Sequence, residues 1–554
     1  MSRKKLKPKG HPSPSMPNRI DIKLDEVAAI VERTKTASLS AEDHTTLKAA
    51  IDALSAVSAE LQKKSTSLER LRHMIFGAPS EKTRDVLGPD AATTTVTAED
   101  GASAAPSVPR PKVPGHGRHG IAAYSGAQKI NIPHPSIHGG EACPGCASGK
   151  VYPMQEPAVM VRIVGMAPLG ACVYERDRLR CNLCGEVFTA PAPAGVGEEK
   201  YDATATAMVG MLKYGAGQPF NRIEKLQDGM GIPLPAATQW DLVKNAVPSL
   251  APIHEHHITV AAQSKVLYND DTTMKVLQLT RQERAATLSD ESSERTGVFT
   301  SGIVATGDGH KIALFFTGAR HAGENLAKVL ERRAAELPAP IQMCDGLSRN
   351  VPGDFDTMLA QCIVHARRKY VDVADQFPDE VRFVLETLRE VYKTDAASRA
   401  MTPEDRLALH QEQSAPRMLV LERWMDEQFK QRKVEPNSSL GEAITYMQNR
   451  WTELTLFLRE PGAPLDNNAC ERVLKKAILH RKNAMYYRTL NGARAGDIFM
   501  SLIHTAELNS VAPFEYLVAL LKHAGTAAER PGDWMPWNYQ ATLAQLTTGA
   551  DPPE

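Results

Sequence analysis

Residues 265–271, KVLYNDD, and residues 339–346, APIQMCDG, are two β-rich runs, each followed or closed by aspartate. Between them, TGVFTSGIVATGD (296–308) and HKIALFFTG (310–318) have the same β-rich character and are broken by Gly and Asp. AGENLAKVLERRAAEL (322–337) has the pattern of a helix. These runs predict a sheet with a helix packed on it, and the helical patterns that follow dominate to about residue 525.

Aspartates stand where two of the predicted strands stop. Asp270 and Asp271 follow KVLYN, and Asp345 follows PIQMC. Most aspartates in such places only cap turns, but carboxylates are also the oxygen ligands that Mg²⁺ prefers. Two-metal phosphodiester chemistry needs such ligands and no covalent nucleophile. Because side chains alternate along a strand, only one of Asp270 and Asp271 is expected to face a cleft.

A third carboxylate lies in DNNACERVLKKAILHRKN (466–483). Asp466 or Asn467 is placed to cap a helix that begins near Asn468, and Glu471 then falls in its first turns. No acid occurs from residue 472 to residue 494, whereas solvated helix faces usually mix signs. The segment predicts a phosphate-binding surface beside Glu471. Its basic residues are Arg472, Lys475, Lys476, Arg481, Lys482, Arg488 and Arg494, and Tyr486 and Tyr487 are candidates for stacking on a base or flanking a phosphate.

Four of the eight cysteines form two CxxC pairs, Cys143 with Cys146 and Cys181 with Cys184. Each pair places two thiolates on one tight turn, and two such turns complete the tetrahedron that structural Zn²⁺ requires. The pattern predicts a zinc-ribbon-like module in which the metal replaces a hydrophobic core. The alternatives are substitution of one ligand by His138 or Cys172, or two unrelated reduced CxxC pairs.

The chain ahead of the predicted sheet changes character several times. We expect a basic tail (1–20), a helical region (21–77), a flexible linker (78–135), the zinc-binding domain (136–195) and a helical DNA-binding region (196–260). In the helical region one apolar residue recurs every seventh position: Leu47, Leu54, Leu61, Leu68 and Ile75. This column favours a coiled coil, although a helix docked on its own chain has a similar pattern. Residues 221–247 fit either a helix-turn-helix or an ordinary helical hairpin.

Bulk composition indicates no partner, because 65 basic and 65 acidic residues cancel. Local charge must therefore carry any DNA-binding hypothesis. The N-terminus is basic and is followed by no apolar stretch, and no apolar run reaches the roughly 18 residues of a membrane span. The expectation is a cytoplasmic protein that joins the nucleoid when bound to DNA.

These motifs resemble the insertion-sequence 66 family of bacterial DDE transposases over nearly the whole chain. LRHMIFGAPSEK (71–82), CPGC with CNLCG, NDDT, QMCDG and DNNACERVLKKAILHRKN carry the resemblance. It implies that Asp270, Asp345 and Glu471 bind two Mg²⁺ or Mn²⁺ ions. The block containing Cys362, His365, Arg367 and Arg368 is also similar, which adds His365 as a catalytic candidate and the two arginines as DNA contacts. Leu347 to Asn350 depart from the family, which usually has aromatic residues after the second aspartate.

The fold implied by the resemblance is multidomain α+β. An RNase H-like mixed-sheet catalytic domain (261–510) with a helical insertion (about 372–460) follows the coiled-coil helix and zinc module, and a C-terminal segment (511–554) ends the chain.

The function implied is a transposase that binds the inverted repeats of an insertion element, cleaves DNA and transfers the strand to target DNA. Expected partners are double-stranded DNA, a second copy or higher assembly, and small accessory proteins of the same element. The alternatives are an inactive zinc-containing DNA-binding regulator and a nuclease that cuts without joining. Mg²⁺-dependent cleavage and a strand-transfer product separate the three.

Overall fold

The computed structural model describes residues 199–279 and 297–548, and before them 140–152, 167–180 and 187–197 in part, with isolated positions from 30 to 48. Nearly all of the predicted tail, coiled-coil region and linker therefore lies outside the described residues. The described chain forms two compact units. The sheet unit runs to Val364 and includes Met401–Ala408 and the residues from Arg450 on. The helical unit comprises His365–Ala400 and Leu409–Asn449.

The described residues of the sheet unit form two sheets. A small antiparallel hairpin pairs β1 (Arg178–Arg180) with β2 (Val187–Thr189). The main sheet has five strands in the order β5-β4-β3-β6-β7. They are β3 (Val266–Met274), β4 (Val298–Gly307), β5 (His310–Gly318), β6 (Ile341–Cys344) and β7 (Met358–Gln361). β4 is antiparallel to both neighbours, whereas β6 and β7 run parallel to β3, so the sheet is mixed.

The strands follow the β-rich runs with two differences. The sequence predicted that β3 stops before Asp270. The strand instead runs on, because Thr272 and Thr273 continue the antiparallel pairing with β4. Their β-branched side chains suit an extended backbone. β7 was not predicted from the sequence, because it has only four residues. The turn between β4 and β5 is tight because Asp308 and Gly309 both adopt positive φ, +49° and +79°.

Helices surround the sheet and form the helical unit. In chain order they are α1 (Ala203–Gly210), α2 (Phe220–Gly229), α3 (Ala236–Ala262), α4 (Ala322–Leu330), α5 (Ile363–Val371), α6 (Pro378–Ala397), α7 (Pro403–Gln413), α8 (Ala415–Lys430), α9 (Ser439–Gln448), α10 (Trp451–Leu454), α11 (Asn468–Ala484), α12 (Leu490–Leu508), α13 (Pro513–Lys522), α14 (Ala524–Glu529) and α15 (Tyr539–Thr548). A π-helical turn, Met211–Gly215, continues α1. The helix predicted at 322–337 ends at Leu330, and α15 lies beyond residue 525, where the predicted helical patterns end.

Each face of the main sheet carries its own core. Leu267, Ile303 and Leu314 pack with α4 and the end of α3 on one face. Phe315 packs with α11 and α12 in the core of the other face. Adjacent residues of β5 therefore point to opposite cores, as strand alternation requires. Within the described part of the chain, no helix is both long and apolar enough to cross a bilayer.

Helix α12 covers the outer edge of β5 with a row of side-chain hydrogen bonds. Polar residues spaced four apart along α12 and at its C-cap accept from the outward N–H groups of alternate residues of β5, at 2.8–3.1 Å. The pairs are Asp497 with Thr317, Ser501 with Phe315, Thr505 with Ala313, and Asn509 with Lys311. The match is geometric, since four helical residues rise about 6.0 Å and two strand residues about 6.7 Å.

The helical unit has an apolar core of its own. α6 contributes Val384 and Leu388, and α8 contributes Leu421 and Met425, all of them fully buried. The Tyr370 hydroxyl donates to Met425 Sδ at 3.5 Å.

Candidate active site

The pairing of β3 with β6 brings two aspartates side by side. The two strands are parallel, and their last paired residues are Tyr268 and Met343. Two positions further along each strand direction lie Asp270 and Asp345. Because the two parallel strands run in the same direction, both carboxylates lie toward the same end of the sheet, at the carboxyl end of β6.

Asp270 and Asp271 belong to opposite faces of β3. Asp270 is paired with Gly302 of β4, where an added Cβ would lie 3.5 Å from Cys470 Sγ of α11. Asp270 therefore shares the face that α11 covers. Asp271 is paired with Ser301, whose hydroxyl accepts a hydrogen bond from Asn325 of α4 on the other face.

The Asp271 carboxylate is already occupied by protein groups. Its side chain is only 2% exposed. His321 Nδ1 lies 2.9 Å from one oxygen, and Arg349 Nη2 donates to the other at 3.2 Å. The Phe299 ring packs against His321 at a tilt of 40°, with a centroid separation of 4.1 Å. These contacts give Asp271 a structural role that the sequence analysis did not assign, and they leave Asp270 as the aspartate of the pair on the α11 face.

Helix α11 places Glu471 on that face. Asp466 Oδ1 accepts from the Asn468 amide at 3.1 Å, so Asp466 is the residue that satisfies the helix start. Asn467 is buried and makes no capping bond of its own. Instead its Nδ2 donates to Asn269 O of β3 at 3.1 Å, and Cys470 Sγ donates to Gly302 O of β4 at 3.2 Å. The first turn of α11, which contains Glu471, is thus fixed to both central strands.

The charges of the other acids of the site act on Asp270. Burial raises the pKa of Asp270 to about 7, with further increases from the charges of Asp345, Asp271 and Glu471. The Asp271 amide, which donates to Asp270 Oδ1 at 2.8 Å, opposes the increase. A buried carboxyl group surrounded by like charges disfavours its own ionisation. The site therefore concentrates negative charge that a cation would neutralise.

A polar loop after β6 holds Asp345. Asn350 Nδ2 donates to Asp345 Oδ1 at 2.5 Å, and the Leu347 amide donates to the same oxygen at 3.1 Å. The Asn350 carbonyl in turn accepts from Asn269 Nδ2 and Gln342 Nε2, both at 2.7 Å. Asn350 is fully buried. Asn350 was not predicted as a site residue, because only the departure from the family pattern at 347–350 marked this loop.

The predicted basic surface is divided between bound and exposed groups. Arg481 Nη1 donates to Thr272 Oγ1 at 3.0 Å and to Thr273, which joins α11 to the end of β3. Lys476 Nζ lies 3.3 Å from Glu507. The exposed members are Arg472, Lys475, Lys482, Arg488 and Arg494. Tyr487 is 7% exposed and packs on His480, so the prediction that it stacks on a base is wrong, whereas Tyr486 is exposed.

His365, Arg367 and Arg368 lie on α5 and belong to the helical unit. Their roles beside the carboxylates stay predictions. Cys362, which precedes α5, lies in the sheet unit, where its Sγ accepts from the Asn467 amide at 3.2 Å. That thiol supports the start of α11.

The predicted zinc site is described only in part. A β-bridge between Ala142 and Lys150 encloses the first CxxC pair, and β1 and β2 flank the second. Cys146 is exposed, and the other three predicted ligands, Cys143, Cys181 and Cys184, lie outside the described residues. Each CxxC thus follows a paired β segment and precedes another, an arrangement compatible with a zinc ribbon. Zinc binding stays a prediction.

Comparisons with known proteins bear on this site directly. The chain is 27% identical over 531 residues to "Uncharacterized protein y4jD" of Sinorhizobium fredii (strain NBRC 101917 / NGR234), covering 90% of this chain and 98% of that protein. It is 25% identical over 410 residues to "Uncharacterized protein y4hP" of the same strain, covering 67% of this chain and 68% of that protein. Residues 199–495, just over half of the chain, match the family described as "Transposase IS66 family". The matched range includes Asp270, Asp345 and Glu471, and the chain belongs to the IS66 family of transposases.

Proposed function

We propose that the sheet unit is a DDE-type catalytic centre that cleaves DNA at the ends of an insertion element and joins the freed strand to target DNA. One observation carries the proposal. Asp270 and Asp345 on adjacent parallel strands share a face with Glu471 at the start of α11, and the pKa of Asp270 is raised to about 7 by burial and by its acidic neighbours. The five-stranded mixed sheet is compatible with an RNase H-like domain over 261–510 with a helical insertion at about 372–460.

The donor set fits divalent cations. Asp270, Asp345 and Glu471 offer hard carboxylate oxygens, which Mg²⁺ and Mn²⁺ prefer. The residue charges acting on Asp270 are all negative, so the charge balance of the site favours an added cation. We propose that these three residues hold two such ions. When bound, the ions would activate the attacking oxygen and stabilise the leaving oxygen.

The chain's own residues prepare the reaction. Asn350 fixes the orientation of Asp345, and Asn467 and Cys470 fix that of the first turn of α11. Exposed Arg472, Lys475 and Lys482 lie beyond Glu471 on α11 and would hold backbone phosphates. In the first step water forms a bond to phosphorus as the bond to the 3′ oxygen breaks, which gives a 3′-hydroxyl and a 5′-phosphate. In the second step that hydroxyl forms a bond to a target phosphorus and displaces a target 3′ oxygen, and its proton passes to solvent.

Other segments would supply end recognition and assembly. We propose that the zinc-binding domain (136–195) and the helices of 196–260 contact the inverted repeats, and that the region 21–77 associates two copies. His365, Arg367 and Arg368 would act with the carboxylates and the DNA backbone. Small accessory proteins of the same element would be additional partners. Support comes from the family membership and from α2 and α3, two consecutive helices joined by residues 230–235.

The test uses purified full-length protein, Mg²⁺, and a supercoiled plasmid carrying this reading frame with its flanking DNA. We expect 3′-hydroxyl nicks at the element ends and joined products with a second plasmid. Asp345→Asn should lower both by at least about 10³-fold, because it removes a ligand whose loss costs several kcal/mol of transition-state stabilisation. Asp354→Asn, an exposed aspartate a few residues further on, should retain wild-type activity. Cleavage that survives Asp345→Asn contradicts the proposed site, and cleavage without joined product contradicts the transfer step.

Asn350→Ala should weaken metal binding more than it lowers the maximal rate. Groups that orient a metal ligand typically contribute about 10–100-fold in metal affinity. We therefore expect the Mg²⁺ concentration for half-maximal cleavage to rise at least about tenfold, with most of the rate restored at saturating Mg²⁺. Titration of cleavage with Mg²⁺ measures the effect, and Ser348→Ala in the same loop, which is exposed, provides the control. An unchanged Mg²⁺ titration for Asn350→Ala would show that its bond to Asp345 does not serve the metal site.

A further inference from the structure

The turn after α11 contains a strained residue. Met485 has φ +64° and ψ −38°, and the Tyr486 amide donates to Ala484 O at 2.8 Å. This is a γ-turn with positive φ at its central residue, which is rare and strained. Glycine adopts such φ values freely, whereas methionine does so at a cost of about 1–3 kcal/mol.

Contacts made by Tyr487, two residues after Met485, impose this conformation. The Tyr487 amide donates to Lys275 O, and Tyr487 O accepts from the Leu277 amide, both at 2.9 Å. The Tyr487 ring is buried, stacks on His480 at 4.9 Å, and lies so close to Gly496 that an added Cβ there would be 2.3 Å from the Tyr487 hydroxyl. Strained backbone persists when its surroundings over-determine it, and such strain concentrates at functional positions.

The strained turn presents two large side chains to solvent. Met485 is 67% exposed and Tyr486 is 41% exposed. We call these two residues the apolar tip. Two exposed cationic residues flank the tip. Lys482 lies three residues before Met485, and Arg488 lies two residues after Tyr486. A solvent-facing methionine and tyrosine between cationic groups match duplex DNA better than a protein groove, because the cations pair with phosphates and the apolar groups enter a base step.

We propose that the apolar tip inserts into a base step of the DNA bound at the carboxylates and unstacks it. This inference rests on the proposed function, since it requires DNA at Asp270, Asp345 and Glu471. Methionine is among the apolar side chains that act as wedges between base pairs, and tyrosine stacks on an unpaired base. The strain at Met485 would hold the wedge extended before DNA binds.

Two distances along the backbone, one through α11 and one through β3, give the expected position of the unstacked base step. Along α11, Ala484 lies thirteen residues after Glu471, or about 20 Å. Along β3 and the residue after it, Lys275 lies five residues after Asp270, or about 17 Å. Base pairs rise about 3.4 Å, so we expect insertion roughly five or six base pairs from the cleaved phosphate.

The experiment measures unstacking separately from cleavage. Full-length protein carrying Asp345→Ala, which cannot cleave under the proposed function, is bound to 40-base-pair duplexes of the element ends. Single 2-aminopurine bases at positions one to ten from the cleavage site report unstacking as increased fluorescence. We expect an increase of at least about threefold confined to one step near positions five and six, since an unstacked reporter is no longer quenched by its neighbours. The increase should disappear with Met485→Gly plus Tyr486→Ala added.

A second readout distinguishes insertion from a structural contribution. In the otherwise wild-type protein, Met485→Gly plus Tyr486→Ala should slow cleavage of paired DNA about tenfold, because unstacking a step costs a few kcal/mol. A mismatch placed at the same step should restore cleavage to within about twofold of wild type, since the step is then already open. Met401→Gly, an exposed methionine on a bend elsewhere in the sheet unit, should change neither readout.

The outcomes separate this inference from the proposed function. Localised unstacking that depends on the apolar tip supports the inference even if the wild type fails to cleave, in which case only the proposed function fails. Cleavage by the wild type without unstacking at any of the ten positions overturns the inference and leaves the proposed function intact. Equal loss of cleavage on paired and mismatched DNA also overturns it, because the tip would then contribute only to binding or folding.

Discussion

Asp270→Asn is expected to lower strand cleavage by at least about 10³-fold, while Asp271→Asn lowers it by less than about tenfold. Asp270 lies on the face shared with Glu471, whereas Asp271 is paired with His321 and Arg349 on the other face. Cleavage of plasmid DNA in Mg²⁺ under identical conditions compares the two variants. A larger loss for Asp271→Asn than for Asp270→Asn would reverse the assignment.

The two variants should also differ in stability. Asp271→Asn leaves His321 and Arg349 without their carboxylate and should lower the free energy of unfolding by about 1–3 kcal/mol. Asp270→Asn should do the opposite in the absence of metal, since it removes a buried charge that its acidic neighbours repel. Asp270→Asn is therefore expected to lose most activity while gaining stability, and Asp271→Asn to lose stability while keeping most activity. A general folding defect cannot produce that combination.

The increase in the free energy of unfolding caused by Asp270→Asn should depend on pH. The pKa of Asp270 is raised to about 7 in the folded protein from 3.8, so between these values the folded state holds a proton that the unfolded state has lost. The free energy of unfolding of metal-free wild type therefore falls as pH rises through this window and stays low above it. In EDTA, Asp270→Asn should raise the melting temperature by several degrees at pH 8 and by little near pH 4. Mg²⁺ should raise the wild-type melting temperature at pH 8 but not that of the variant.

Gly323→Ala should be among the most damaging small substitutions in the sheet unit. An added Cβ would lie 2.3 Å from Val351 O and 2.7 Å from Arg349 O, two backbone atoms that flank Asn350. Alanine normally favours a helix over glycine by about 0.5–1 kcal/mol, so the clash must reverse that preference. We expect a loss of about 3 kcal/mol or more in the free energy of unfolding, since backbone has to move. Displacement of Asn350 should also weaken its bond to Asp345.

Urea unfolding followed by fluorescence, together with the Mg²⁺ titration of cleavage, checks this expectation. Gly318→Ala is the matched control, because nothing lies within 4 Å of a Cβ at that position and its φ is not positive. The control should change the free energy of unfolding by less than about 0.5 kcal/mol. Equal stability of the two variants would mean that the loop at 349–351 moves without cost.

The central strands and α11 were accessible to prediction because their signals are local. β-rich runs bounded by Gly and Asp located β3 to β6, and an acid-capped helical segment located α11 with its start at Asn468. The position of Asp345 directly after a strand followed from the same patterns. Family resemblance then identified which acids to combine, and the match over 199–495 confirmed the family.

What the sequence analysis missed depends on contacts between distant residues. Asp271 meets His321 fifty positions away and Arg349 seventy-eight positions away, and no local pattern encodes either pairing. Asn350 appears as an ordinary loop residue until the fold places it on Asp345. The burial of Tyr487 likewise follows from packing on His480 rather than from its own neighbourhood in the sequence. Strand extension past Asp270 depended on a partner, β4, whose register was unknown.

The side-chain hydrogen bonds between α12 and β5 have a consequence for self-association. An uncovered edge strand can recruit a strand from another molecule, which leads to swapped dimers or aggregates. Here Asp497, Ser501, Thr505 and Asn509 occupy the amides that such a strand would need. The spacing mismatch of about 0.7 Å between successive pairs accumulates to about 2 Å over the three intervals, so a helix can cover an edge only about as long as β5. A strand from another molecule therefore cannot pair with the β5 edge through these amides, and any association of two copies has to use other surfaces.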